Sequence, residues 1–509
     1  MYLCFVIEDN RFQNYSIEQF ISLLEQKDKL LVKKDDKIAD LQFRLDNLER
    51  ALFGKSSERH LPVAQIPNQS SLFELEPVAK NSQSAKTSVK EYSREKALKD
   101  KENHNGRNAF PKHIERVEEI IEPEGDLSEY KHIGDEVTEK LHYIPGKIIV
   151  KSFVRRKYIK INNEQDKTEI IIGKLPSSPI EKGIPTAMLL AWLLAEKFVY
   201  HIPFHRTLQK FSHQGISIKA STVSGWMRQC CQLLLLLYDK LLEKVLSQDY
   251  LMVDETPLLV MDKDKASGTH LGYLWAYYAP LTKMVFFQYQ PGRHAAWPRE
   301  TLKNFKGYIQ TDGYVVYKDL HLHNRNITPM NCMAHARRKF DEAKNHNKET
   351  AEQGLNYFHQ LYEVERHARE NNFTYEERFN LRLERSVPIL TEMEGWMKNN
   401  CERFNKKSPT NTALAYTLER WANLKVYLQD GRLEIDNNQV ENSIRPCALG
   451  KKNFLFAGSH EAAQNIAMMY SFTGTCRMQG KDPLAWLAST LEKLPDASGK
   501  DIESFLPVA

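Results

Sequence analysis

The residues from 249 to 330 constrain the fold most strongly, because their apolar positions change from helical to strand-like spacing. Apolar runs at residues 250–260, 271–278 and 284–289 are separated by tight turns, one of which contains Ala266, Ser267 and Gly268. Short apolar runs bounded by turn residues are typical of strands in a buried sheet. A helix near residues 297–305, a strand at 307–310, a helix near 315–320 and a strand near 327–330 complete this stretch.

A meander of three strands, a helix, a fourth strand and then alternating elements is the order of a ribonuclease-H-like α/β fold. The first and fourth strands lie side by side in that fold. Asp254 lies in the first predicted strand, and Asp312 follows the fourth. We therefore expect the two carboxylates to lie close together, although 312 − 254 = 58 residues separate them.

A third carboxylate comes from residues 433–446, which read LEIDNNQVENSIRP. Asn437 or Asn438 is placed to cap a helix that begins there. Glu441 lies in its first turns, and Arg445 shares a face with Glu441, where it either pairs with it or contacts DNA. Two Asp residues at strand ends and one helical Glu form a carboxylate triad of the kind that holds two divalent cations for phosphoryl transfer.

Other acidic residues compete with these three for the role of metal ligand. In a strand, Glu255 points to the face opposite Asp254. Asp262 and Asp264 lie in a predicted turn, and Asp436 is better explained by loop or capping chemistry. From the pattern alone, any Asp at a strand end is also readily explained as a turn residue, so the assignment stays open at this point.

The same region carries a resemblance to a known family. Residues 435–446 resemble the C-terminal signature of transposases of the insertion sequence 66 family, together with LGKKN at 449–453 and LFAGS at 455–459. The segments CMAHARRKF at 332–340 and HIPFHR at 201–206 resemble further signatures of that family. The resemblance extends from about residue 30 to about residue 491.

The resemblance implies a DNA transposase that binds the terminal inverted repeats of its own element, cuts at the ends and joins the 3′ ends to target DNA. It implies that Asp254, Asp312 and Glu441 are catalytic and hold two Mg²⁺ ions, for which Mn²⁺ substitutes. Accessory proteins of the same element are possible further partners. The residues by themselves support only a metal-dependent nuclease or strand transferase. The alternatives are a ribonuclease-H-like nuclease without strand transfer and a coiled-coil DNA-binding repressor with a dead site.

The N-terminal part, residues 1–55, shows an apolar residue at every seventh position, at Ile17, Leu24, Leu31, Ile38, Leu45 and Leu52. This spacing predicts a coiled coil and hence a homo-oligomer, at least a dimer, although Lys27 and Lys34 weaken the seam. The alternative is an amphipathic helix folded against its own domain. Residues 56–105 lose the period and are rich in Ser, Gln and Asn, so we predict a flexible linker.

Residues 106–185 predict a small β module, with a strand at 148–161. In the resembling family this region carries a four-cysteine zinc finger. No cysteine occurs between Cys4 and Cys230, so we expect no zinc here. Arg155 and Arg156 are candidates for phosphate contacts, and a plain structural hairpin is the alternative.

Residues 186–248 predict a helical domain in which 206–226 reads helix, Gly turn, helix. This pattern favours a helix-turn-helix in which Lys219 and Ser221 contact DNA; an ordinary helical hairpin fits nearly as well. The core, 249–332, is followed by a helical insertion at 333–430, a second part of the catalytic core with C-terminal helices at 431–494, and a tail at 495–509. The further candidates for DNA contact are His335, Arg337, Arg338, Lys451 and Lys452.

Composition adds few constraints. The net charge is only +5, so local basic patches matter more than the total. The seven cysteines form no framework and suit a reducing cytosol. No charge-free apolar run reaches the roughly 18 residues of a membrane span. We expect a bacterial cytoplasmic protein, associated with the nucleoid when bound to DNA, and no contact with the membrane.

Overall fold

The computed structural model describes residues 183–499 continuously, and also residues 148–154, 175–181 and 501–508, the backbone of 157–159 and 170–172, and the single positions Lys27, Lys34, Ile38 and Gly146. The predicted coiled coil, the linker, and Arg155 and Arg156 lie outside the described residues. The predicted strand at 148–161 is found only in part. Residues 148–154 have no regular structure, and a short strand β1 (Lys157–Ile159) pairs antiparallel with β2 (Ile170–Ile172).

The centre of the molecule is a mixed sheet of five strands. They are β3 (Tyr250–Met261), β4 (Thr269–Ala279), β5 (Met284–Gln290), β6 (Gly307–Thr311) and β7 (Ile327–Asn331). Their order is β5-β4-β3-β6-β7, with antiparallel pairing from β5 to β3 and parallel pairing from β3 to β7. The first and fourth strands of this stretch are therefore neighbours, as the sequence predicts.

Helices precede this sheet and also connect its strands. Before it come α1 (Ala187–Phe198), α2 (Phe204–His213), α3 (Ala220–Leu233) and α4 (Leu235–Leu246). Between β5 and β7 come α5 (Ala296–Thr301), α6 (Val315–Lys318) and α7 (Leu320–His323). The predicted helix at 297–305 is thus shorter, and the one at 315–320 is divided in two.

The insertion that follows β7 is helical, as predicted. It comprises α8 (Met333–Ala343), α9 (Lys348–Glu370), α10 (Tyr375–Leu381), a π-helical turn (Arg382–Ser386), α11 (Val387–Cys401), α12 (Pro409–Glu419), α13 (Trp421–Leu424) and a 3₁₀ turn (Lys425–Gln429). Its core contains Phe340, Phe358 and the partly buried Trp396, and the ring of Phe340 lies within contact of the other two. The chain then returns to the sheet through α14 (Asn438–Phe454), α15 (His460–Met478) and α16 (Pro483–Lys493).

Helix α15 closes the edge of the sheet at β5. The backbone N–H of Val285 donates to Thr475 Oγ1 at 3.1 Å, and that of Phe287 donates to Ser471 Oγ at 2.7 Å. An exposed strand edge would otherwise offer unpaired backbone groups to other chains. The hydroxyl groups of a largely buried helix therefore protect this edge.

The helical domain contains two helices joined by a turn, an order that a helix-turn-helix and an ordinary helical hairpin share. Thr186 caps α1, and α2 and α3 are joined by a turn in which Gly215 has a φ of 76°. Val223 and Trp226 bury one face of α3, whereas Lys219 and Ser221 are exposed at its start. A role of these helices in DNA binding stays a prediction. None of the described helices is both long and apolar enough to cross a membrane.

Gly307 is a position at which the sheet tolerates no side chain. Its φ is 133°, and a Cβ there would lie 2.0 Å from the backbone oxygen of Asp249, so β6 could not begin beside β3. We expect Gly307→Ala to destabilise the protein by about 2–4 kcal/mol, combining backbone strain and overpacking.

The control for this change is Gly395→Ala. Gly395 lies in the exposed middle of α11, and a Cβ added there would meet no other atom within 4 Å. This substitution is expected to stabilise the protein by about 0.5–1 kcal/mol, since Ala favours a helix interior over Gly. Thermal unfolding of both variants checks the prediction, and equal melting temperatures would contradict it.

Candidate active site

Asp254 lies in β3, two residues beyond the last position that pairs with β6. Its Oδ1 accepts a hydrogen bond from the backbone N–H of Glu255 at 2.8 Å. Burial, and after it the negative charges of Glu255, Asp312 and Glu441, raise the pKa of Asp254 to about 8, while the one hydrogen bond opposes the shift. This carboxyl group therefore lies in a space where no positive charge compensates its own.

Asp312 directly follows β6, at a turn that the insertion holds in place. Its Oδ1 accepts from the backbone N–H of Tyr314 at 2.8 Å. Tyr416 of α12 donates its hydroxyl proton to the backbone oxygen of Asp312 at 2.9 Å, and Arg420 donates to that of Gly313 at 3.3 Å. Gly313 has a φ of 83°, which the sharp turn requires. The side chain of Asp312 is therefore presented by a turn that two residues of the insertion fix.

Glu441 lies in the first turn of α14. Its Oε1 is buried and has no hydrogen-bond partner, and it lies 3.9 Å from Nε2 of His335. Asn437 is the N-cap residue, as predicted, but its buried side chain makes no capping hydrogen bond. Instead, Oδ1 of Asp436 accepts from the backbone N–H of Asn438 at 3.1 Å.

Asp254 lies within electrostatic reach of the other two predicted carboxylates. Asp312 and Glu441 both raise the pKa of Asp254, and both also act on the pKa of His335, which burial lowers overall. In the part of the chain that the structure describes, no three His, Cys, Asp or Glu side chains lie close enough together to form a ready-made metal site. The donor set nevertheless fits a hard divalent cation, because it offers an unpartnered buried carboxylate oxygen and a second carboxyl whose charge is uncompensated.

The rival carboxylates are already engaged within the protein. Glu255 accepts from Arg293 Nε at 2.6 Å and from the hydroxyl of Tyr317. Asp436 accepts from Tyr362 at 2.9 Å in addition to the capping bond described above. A carboxylate held in this way is less available to a cation, so the structure favours Asp254 over Glu255, and Glu441 over Asp436.

The predicted DNA-contacting cations differ in their exposure. Arg337, Arg338, Arg445 and Lys452 line the outer faces of α8 and α14, where they are exposed or partly exposed. Lys451 is half-buried, and its Nζ donates to Thr256 Oγ1 at 2.7 Å and to the backbone oxygen of Pro257 at 2.6 Å. Lys451 thus ties α14 to β3.

The sequence did not indicate the residues that support two of the three carboxylates, Asp312 and Glu441. Tyr416 and Arg420 support Asp312, and Glu365, Arg378 and Arg382 form the cluster that contacts the segment before Glu441. They lie in an insertion whose helices carry no motif, and their partners are distant in the chain. The only sequence signal for them is a charged residue at a helix position that the apolar spacing predicts to be buried. Many charged residues at helix surfaces show the same spacing, so the signal does not identify them.

Comparison with known proteins identifies the family of this chain. Residues 182–465 match the family model described as "Transposase IS66 family", and residues 471–508 match "IS66 C-terminal element". Residues 40–118 match "Transposase C of IS166 homeodomain", a match that crosses the predicted linker.

Three proteins of Sinorhizobium fredii (strain NBRC 101917 / NGR234) are similar over most of their length. "Uncharacterized protein y4qI" is 31% identical over 93% of this chain and 89% of its own. "Uncharacterized protein y4jD" is 31% identical over 78% and 81%, and "Uncharacterized protein y4hP" is 27% identical over 92% and 88%. Since the first family model covers more than half of the 509 residues, this chain belongs to the IS66 family of transposases.

Proposed function

We propose that this protein is an active DNA transposase that binds the terminal inverted repeats of an insertion sequence, cuts the strands there and joins them to target DNA. The observation that carries this proposal is the buried Oε1 of Glu441, which has no hydrogen-bond partner and whose carboxylate charge acts on Asp254. A carboxylate oxygen left without a partner inside a protein is costly unless a ligand completes it. Family membership gives the reaction class, and this site supplies ligands suited to it.

The sheet supports the proposal through its strand order. An antiparallel meander joined to two parallel strands, with the first and fourth strands adjacent, is what a ribonuclease-H-like core requires. We assign the core to that class. Residues 333–430 then form an insertion between the two parts of the catalytic domain, and α14 returns Glu441 to the strand ends.

Each group has a distinct part in the proposed reaction. Asp254, Asp312 and Glu441 would hold two Mg²⁺ ions, or Mn²⁺ in their place, which when bound activate the attacking oxygen and stabilise the leaving one. Burial lowers the pKa of His335, which favours the neutral imidazole and so reduces its repulsion of a cation bound near Glu441. Arg293 neutralises Glu255, which limits the excess negative charge beside Asp254.

DNA contact is proposed for exposed cations. Arg337, Arg338 and Lys452 lie on the two helices, α8 and α14, that border the carboxylates. Lys219 and Ser221 begin the second helix of the helix-turn-helix pair. The homeodomain named in the N-terminal match is consistent with DNA binding by that part of the chain as well. Self-association through residues 1–55, the absence of zinc and accessory proteins of the element all remain predictions.

The direct test is strand cleavage by single carboxylate variants. We expect Asp254→Asn, Asp312→Asn and Glu441→Gln each to abolish cutting of labelled element ends in Mg²⁺, because each removes a negative ligand. Binding to the ends should change little, since DNA affinity depends on phosphate contacts elsewhere. Gel assays of cleavage and mobility shift measure the two separately.

The matched control is Asp264→Asn, which makes the same chemical change in the exposed turn after β3. It should cut like the wild type. Normal cutting by Glu441→Gln would refute the assignment of the third ligand. A wild-type protein that binds the ends without cutting would favour the repressor, and one that cuts without joining would favour a simple nuclease.

The raised pKa of Asp254 predicts how the stability of the metal-free protein depends on pH. The folded carboxyl has a pKa of about 8, above the unfolded value of about 3.9. Between these two pKa values the folded state binds more protons than the unfolded state. The free energy of unfolding is therefore highest below about pH 4 and falls as the pH rises towards 8. We expect the melting temperature in chelator to fall less between pH 5 and pH 8 in Asp254→Asn than in the wild type. Asp264→Asn should follow the wild type, and identical slopes in all three would contradict the burial of this charge.

A further inference from the structure

The segment from 430 to 437, which leads directly into the helix of Glu441, is a loop with buried residues. It has no regular helix or strand, yet Leu433, Ile435 and Asn437 are buried. Loops normally lie at the surface because their backbone groups need water. A buried loop must have its backbone groups satisfied by the protein itself.

Arg382 supplies two of those contacts and one more just before the segment. It is completely buried and donates hydrogen bonds to the backbone oxygens of Tyr427 at 2.7 Å, Asp430 at 2.9 Å and Leu433 at 2.7 Å. Its Nε also donates to Glu365 Oε1 at 2.7 Å. Arg382 begins the π-helical turn of the insertion, an irregularity that recurs at functional sites.

Arg378, one helical turn earlier, contacts the same segment. It donates to Glu365 Oε2 at 2.6 Å and to the backbone oxygen of Gly431 at 3.3 Å. It also donates to both carboxylate oxygens of Glu434, at 3.0 and 2.9 Å. Burial alone would raise the pKa of Glu365, but hydrogen bonds and charge from Arg382 and Arg378 lower it below the ordinary value. Glu365 is therefore ionised and binds the two guanidinium groups together.

The other side of the segment is joined to the sheet. The backbone N–H of Glu434 donates to the hydroxyl of Tyr250 at 3.1 Å, and Gln310 donates to the backbone oxygen of Glu434 at 3.0 Å. Tyr250 in turn donates to Gln310 at 2.6 Å. Tyr250 lies in β3, the strand of Asp254, and Gln310 lies two residues before Asp312. Residue 434 is thus fixed both to the insertion and to the two strands that carry the Asp residues.

We propose that Glu365, Arg378 and Arg382 are positioning residues for Glu441, which set the position of the third metal ligand relative to Asp254 and Asp312. The inference rests on the proposed role of these three carboxylates. Buried ion pairs are often no more stabilising than well-packed apolar side chains. The bonds of Arg382 to three backbone oxygens fix a geometry, and a functional site needs its ligands placed within about 0.5 Å.

The test compares two isosteric changes on the same helix. Glu365→Gln weakens the buried cluster, whereas Glu363→Gln breaks the exposed pair of Glu363 with Arg366 on α9. We expect Glu365→Gln to weaken Mn²⁺ binding, measured by electron paramagnetic resonance, by about tenfold to hundredfold, the range found for residues that support metal ligands. Cutting should slow in proportion at limiting Mn²⁺ and recover in part when Mn²⁺ is raised. DNA affinity should stay within about twofold, since phosphate contacts are unchanged. Glu363→Gln should match the wild type in all of these.

A folded Glu365→Gln protein with wild-type Mn²⁺ affinity would overturn the proposal. If that variant does not fold, the same measurement is made on Glu434→Gln. Glu434 contacts Arg378 but is only partly buried, so this change is expected to leave the protein folded. It is expected to weaken Mn²⁺ binding in the same direction, and unchanged affinity would again refute the role.

Hydrogen exchange separates this proposal from the proposed function. Amide hydrogen exchange at residues 433–441 can be measured without metal and without DNA. It should become faster in Glu365→Gln but not in Glu363→Gln, and equal exchange in the two would contradict the positioning role even if the wild type cuts DNA. A wild type that binds Mn²⁺ but never cuts would refute the proposed function alone.

Discussion

The mutual repulsion of three carboxylates in a partly buried space is the constraint on which the rest of this structure depends. Asp254, Asp312 and Glu441 come from three distant parts of the chain, and burial together with its negative neighbours raises the pKa of Asp254 to about 8. Without a cation, burial and the neighbouring negative charges favour the protonated form of Asp254 and so oppose an ionised site. The fold must therefore hold them together against that cost, and each is held by a different kind of contact.

Those contacts make the helical insertion part of the candidate site. Parallel pairing of β3 with β6 sets Asp254 beside Asp312. Tyr416 and Arg420 of the insertion hold the turn after β6, and the Glu365 cluster holds the loop before Glu441. The insertion thus holds both the turn that carries Asp312 and the loop that precedes Glu441. Two of the three carboxylates therefore depend on it for their position.

The sequence predicted the strands, their order and the convergence of Asp254 with Asp312, because apolar period and turn residues are local signals that a buried sheet obeys. It predicted Asn437 or Asn438 as the N-cap residue; Asn437 holds that position, but its side chain makes no capping bond, and Asp436 accepts from the backbone N–H of Asn438 instead. The contact of Lys451 with β3 was not predicted from the sequence, and its contact with DNA stays a prediction. The sequence could not predict the cluster of Glu365, Arg378 and Arg382 or the hydrogen bond from Tyr416 to Asp312. These contacts join residues that are far apart in the chain and depend on tertiary packing alone.

The most direct measurement is a crystal structure of the protein bound to an element end in Mn²⁺, with the anomalous signal used to locate the metal. We expect two ions about 3.5–4 Å apart, with carboxylate oxygens of Asp254, Asp312 and Glu441 as ligands. Ions held by Glu255 or Asp436, or an ordered DNA end with no metal between these three carboxylates, would contradict it.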